Sequence, residues 1–103
     1  MNGFEFATAQ RIIFGEGKLR EIVTIAPEFG QRALVVVGGN VERAKPLFDL
    51  LDEAKVTHTA FTVASEPDIQ LVNAGLALVR ETDAEMVISF GGGSAIDTGK
   101  AIA

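Results

Sequence analysis

Cysteine is absent from this 103-residue chain, and histidine occurs once, as His58. Disulfides and thiolate metal sites are thereby excluded, and one imidazole cannot build a histidine-rich metal centre. Tryptophan and tyrosine are absent too, which removes the best stacking platforms for nucleic acid, and the net charge of −5 opposes attraction to a phosphate backbone. Nucleic acid is not an expected partner. No apolar run approaches the roughly 20 residues that cross a bilayer, and the opening MNGFEFATAQR lacks a basic segment followed by an apolar one. No membrane association is expected, and a cytoplasmic location is the default.

Apolar residues make up 48% of the chain, enough for one compact core, and 11 glycines call for a local explanation. Short apolar runs at Arg11 to Phe14, Ala33 to Val37, Thr59 to Val63 and Met86 to Phe90 read as strands. The last three recur about every 26 residues, a spacing that accommodates a crossover helix and so predicts parallel βαβ units. Amphipathic segments fill the gaps. Lys18 to Ala26 places Leu19, Ile22, Val23 and Ala26 on one face before Pro27 ends it, and Ala44 to Ala54 carries Pro46 near its start, where a missing N–H is harmless. Asp68 to Glu81 has helical apolar spacing, weakened by the internal Gly75. A fourth helix begins at Ser94 and runs to Ala103 without a stop signal, which predicts a longer parent chain. The expected fold is α/β, a parallel Rossmann-like sheet flanked by helices, with residues 1–103 forming one truncated nucleotide-binding domain.

The strand MVISF is followed by Gly91, Gly92, Gly93 and Ser94 and then a helix. Such a turn aims backbone N–H groups at one point, lets an anion approach closely, and adds the positive end of the helix dipole; a pyrophosphate suits it. The dinucleotide fingerprint G-x-G-x-x-G fails, because its last glycine falls on Ile96. The P-loop fails at two positions, Ser94 and Ala101. A capping box between Ser94 and Asp97 accounts for those two residues but not for three consecutive glycines after a buried strand. Asp97 would repel a pyrophosphate if it faced one, so it either caps the helix or accepts a hydrogen bond from an amide such as the nicotinamide carboxamide.

These stretches resemble the N-terminal nucleotide-binding domain of the iron-containing (group III) alcohol dehydrogenase family. RIIFGEGK (Arg11 to Lys18) is similar to that family's opening strand and turn, ALVVVG (Ala33 to Gly38) to its second strand, and FGGGSAIDTGKAIA (Phe90 to Ala103) to its G-G-G-S-x-x-D-x-x-K signature. The resemblance implies hydride transfer between NAD(P)H and a small alcohol or aldehyde. It also implies a divalent metal, iron or zinc, held by an aspartate and three histidines of an all-helical C-terminal domain that these residues do not include, so no metal ligand and no catalytic residue is assigned and the chain alone is expected to be inactive. By position, Gly91, Gly92, Gly93 and Ser94 would hold the pyrophosphate and Asp97 would lie near the nicotinamide. Lys100 is equally well explained as a solvated helix residue. The family often has proline where this chain has Ala9, and Asn-Pro where it has Glu66-Pro67.

NAD-preferring members of that family tend to carry an aspartate after the second strand, where it holds the adenosine ribose and repels a 2′-phosphate. This chain has Gly38, Gly39 and Asn40 there, with Arg43 and Lys45 close by, so NADP(H) is expected to be preferred over NAD(H). A homo-oligomer is compatible with the resemblance. A non-catalytic nucleotide-binding module, or a relative resembling maleylacetate reductase or dehydroquinate synthase, stays open. His58 has no carboxylate at triad or ligand spacing and reads as a packed or solvated side chain.

Overall fold

The computed structural model describes residues 10–13, 16–64, 68–91 and 93–102, with the backbone alone for residues 10–13, 16–18, 93, 94, 96 and 100. Four strands, β1 (Gln10–Ile13), β2 (Arg32–Gly38), β3 (Thr57–Val63) and β4 (Met86–Phe90), form one sheet in the order β1-β4-β2-β3, with every pairing parallel. Each strand expected from the apolar runs is present, within two residues at its ends. Phe14, the expected end of the first, lies outside the described residues, as do Phe4, Phe6, Gly15, Glu66 and Pro67.

The helices are α1 (Ile22–Ile25), α2 (Lys45–Glu53), α3 (Ile69–Thr82) and α4 (Gly93–Ile102). The segment expected to be one helix from Lys18 is instead a 3-10 turn (Glu16–Glu21), a single α-turn, and a second 3-10 turn (Ala26–Glu28) that runs through Pro27. Proline at the start of that turn costs no hydrogen bond, so it continues the spiral instead of ending it. A 3-10 turn (Val41–Ala44) leads into α2, and Pro46 sits in the first turn of α2 as its sequence position demands. In α3 the Asp68 carboxylate accepts from the Leu71 amide at 2.7 Å, and Asp83 closes the far end in the left-handed conformation at φ 56°. Among the described residues no helix is long and apolar enough to cross a membrane.

Strand alternation divides the core. Ala33, Val35 and Val37 of β2, with Met86 and Ile88 of β4, face α1 and α2 and bury Ile22, Leu47 and Leu51. Leu34, Val36 and Val87 face the other way, toward α3 and α4, with Val63, Ala95 and Ile102. Each fully buried aliphatic side chain contributes roughly 1.5–3 kcal/mol, which explains why the two central strands are apolar on both faces. Gly75 does not interrupt α3. A Cβ there would collide with Ile102 Cδ1 of α4 and stand 3.2 Å from Phe61 Cε2, so the glycine is where α4 crosses.

Candidate nucleotide-binding site

The chain leaves β2 for α2 on one face of the sheet and leaves the adjacent β4 for α4 on the other. Between two neighbouring parallel strands whose connections diverge, a crevice opens at their carboxyl ends, and it is the usual ligand position in open α/β sheets. Val37 and Phe90 are register partners at that end, so Gly38 and Gly91 emerge side by side. A Cβ on Gly91 would lie 3.1 Å from the Gly38 nitrogen and 3.3 Å from its Cα and oxygen. The two exits therefore meet backbone to backbone, which only glycine at position 91 permits. Its φ of +126° makes the same demand independently.

Gly39 also has a positive φ, +82°, and no described residue stands within 4 Å of where its Cβ would be. Its amide donates to the Val63 carbonyl at 3.2 Å, tying the turn to the end of β3. Asn40 caps the 3-10 turn that follows, its Oδ1 accepting from the Glu42 amide at 2.9 Å and its carbonyl from the Arg43 amide at 3.1 Å. Glu42, Arg43 and Lys45 are all exposed beside it.

On the β4 side, α4 begins at Gly93, one residue before the expected start, with Ser94 as its second residue. Gly92 lies outside the described residues, as do the side chains of Ser94, Ile96 and Lys100. Asp97 is exposed, whereas Ala95, Thr98, Gly99 and Ile102 form the buried face of α4 at helical spacing. Gly38, Gly39, Asn40, Gly91 and Gly93 are thus brought to the carboxyl end of the sheet, with Ser94 and Asp97 following in the first turns of α4.

Three features escaped the sequence reading. Ser89 and Thr98 are completely buried with hydroxyls that have no hydrogen-bond partner among the described residues, each costing roughly 1–3 kcal/mol if left unpaired. Their signal was the polar residue within an apolar strand and within the apolar face of α4. Gly99 is the third: a Cβ there would run into Ser89 Oγ. His58 does have a carboxylate nearby, contrary to its sequence spacing, because Asp52 Oδ1 of α2 stands 3.7 Å from its Nδ1. The ring stacks flat on Phe48 at a centroid distance of 4.8 Å. That pair lies at the amino end of β3, remote from the glycine exits, and packs instead of building a site.

The strand order and the reversal of winding between β2 and β4 define a doubly wound, Rossmann-like α/β fold. The chain belongs to the iron-containing alcohol dehydrogenase family, whose model matches residues 9–103. It is 33% identical to the probable NADH-dependent butanol dehydrogenase 2 of Bacillus subtilis (strain 168), a match spanning 100% of this chain and 28% of that protein. It is 32% identical to the NADPH-dependent aldehyde reductase YqhD of Escherichia coli (strain K12), over 100% of this chain and 27% of the other. Among solved structures, a mutant of ADH/D1, an archaeal halo-thermophilic Red Sea brine pool alcohol dehydrogenase, superposes with a TM-score of 0.77 at 27% identity, covering 92% of this chain and 25% of the other. The chain thus spans about a quarter of the length of these relatives.

The family's iron prompts a test of the donors present. Among the described residues no three His, Cys, Asp or Glu side chains come together, and the whole chain holds one histidine. The expected set of an aspartate and three histidines does not fit these residues.

Proposed function

We propose that this chain is the nicotinamide-dinucleotide-binding part of an oxidoreductase that exchanges a hydride between NAD(P)H and a small alcohol or aldehyde. The convergence of Gly38 and Gly91 at the reversal of winding carries this reading, because it opens a side-chain-free floor where a pyrophosphate can approach the backbone. Gly91, Gly92, Gly93 and Ser94 would hold the pyrophosphate at the positive end of the α4 dipole. The exposed Asp97 carboxylate would accept from the nicotinamide carboxamide. Gly38, Gly39 and Asn40 would border the adenosine ribose. When bound, the nicotinamide ring supplies or accepts the hydride; the residues of this chain bind and orient it.

The same residues favour NADP(H). No carboxylate side chain stands at Gly38, no described residue fills the space beyond Gly39, and Arg43 and Lys45 offer two cations beside the carboxylate of Glu42. The two relatives above are named one for NADH and the other for NADPH, so the family accommodates either cofactor. Titration with NADPH and with NADH should show tighter NADPH binding, and Gly38→Asp should weaken NADPH by about tenfold or more, since a close like-charge contact opposes binding by about 1 kcal/mol in water and about 4 kcal/mol near a protein surface. Tighter NADH binding to the unaltered chain, or an unchanged preference in the variant, would contradict the NADP(H) assignment.

A further inference from the structure

The geometry points to Gly99 as a positioning residue for the dinucleotide turn, matched in size to the Ser89 side chain beneath it. The inference rests on the dinucleotide reading above and concerns a residue that need not touch the ligand. Alanine favours a helix over glycine by propensity, so a glycine in the middle of α4 needs a reason. Here it is steric. A Cβ on Gly99 would collide with Ser89 Oγ and lie 3.3 Å from Ser89 Cβ, with Val87 Cγ1 at 3.8 Å.

Ser89 has little freedom to yield. It sits in β4 between two hydrogen-bonded neighbours, in register with Ile13 of β1 and Val36 of β2, and is fully buried. Added bulk at position 99 must therefore be absorbed by α4. At the far end of α4 the helix is seated a second time, where Ile102 enters the notch left by Gly75 of α3. A helix held at Ile102 and pushed up at Gly99 tilts, and its first turn moves away from the sheet. That turn begins at Gly93, roughly 9 Å along the axis from Gly99. The amides meant for the pyrophosphate are thus set in height over Gly38 by a contact about 1.7 turns away. A displacement on the order of 1 Å takes an amide–phosphate hydrogen bond out of its working range, enough to weaken binding by about tenfold.

A double-mutant cycle tests the pairing. NADPH dissociation constants would be measured for the unaltered chain, Gly99→Ala, Ser89→Ala and the double variant, at a temperature where circular dichroism shows each to be folded. Gly99→Ala should raise the constant by about tenfold or more, and adding Ser89→Ala should bring it back to within about threefold of the original, since the colliding oxygen is then gone. A purely structural role would lower the melting temperature without this loss and rescue of affinity. Unchanged affinity in Gly99→Ala, or a double variant as weak as the single one, would overturn the inference. If Gly99→Ala does not fold, the double variant decides. It should fold and bind NADPH to within about threefold of Ser89→Ala, and a double variant that stays unfolded or binds more than about tenfold more weakly would overturn the pairing. Failure of the unaltered chain to bind either NADPH or NADH would instead remove the dinucleotide reading itself.

Discussion

The two faces of the sheet are packed by different means. Beneath α1 and α2, large aliphatic side chains such as Leu47, Leu51 and Ile88 fill the space, and the polar His58 ring lies half-buried on Phe48 at the edge. Beneath α3 and α4, close approach replaces bulk: Gly75 admits Ile102, Gly99 lies on Ser89, and two hydroxyls are sealed in without partners among the described residues. The first face maximises buried apolar area. The second seats α4 closely, the helix that continues from the glycine turn, and among the described residues it holds two unpaired hydroxyls against the single unpaired His58 Nδ1 of the first. Stability and placement are therefore concentrated on opposite sides of one sheet.

Mutations on the two faces should separate these roles. The largest effect is expected for Leu51→Ala beneath α2, which should lower unfolding free energy by about 2–5 kcal/mol through lost transfer energy and a cavity. Denaturant unfolding measures it, and nucleotide affinity of the folded fraction should stay the same. A loss below about 1 kcal/mol would mean that this face collapses around the gap and is less tightly filled than described. The smallest effect is expected for Ser89→Ala, with the opposite sign. Removing a buried, unpaired hydroxyl should leave stability unchanged or raise it by up to about 1 kcal/mol, a rise of about 4–8 °C in melting temperature for a domain of this size. A clear drop would show that the hydroxyl has a partner and that the two faces are less different than they look.

Much of this fold is legible in the sequence because periodicity is a local property. The near-continuous apolar run from Ala33 to Val37 announces a central strand, and the Met86 to Phe90 strand ahead of three glycines announces a turn at a helix start. Non-local facts are not encoded that way. Nothing in the spacing says that β1 joins β4, or that β4 lies between β1 and β2. Gly75 reads as a weak point in a helix until Ile102 is seen filling its notch, and the nearness of Asp52 to His58 depends on how α2 returns to β3. The convergence of Gly38 with Gly91, 53 positions apart in sequence, is of the same kind. Both turns could be suspected singly, but their contact is a product of strand order.

That contact is the centre of the account, and amide chemical-shift mapping during an NADPH titration tests it most directly. Perturbations should gather at Gly38, Gly39, Asn40, Gly91, Gly93 and Ser94, with the Asp52 and His58 end of the sheet left unmoved. A response confined to that opposite end, or spread evenly over the chain, would contradict the placement of the dinucleotide at the carboxyl ends of β2 and β4.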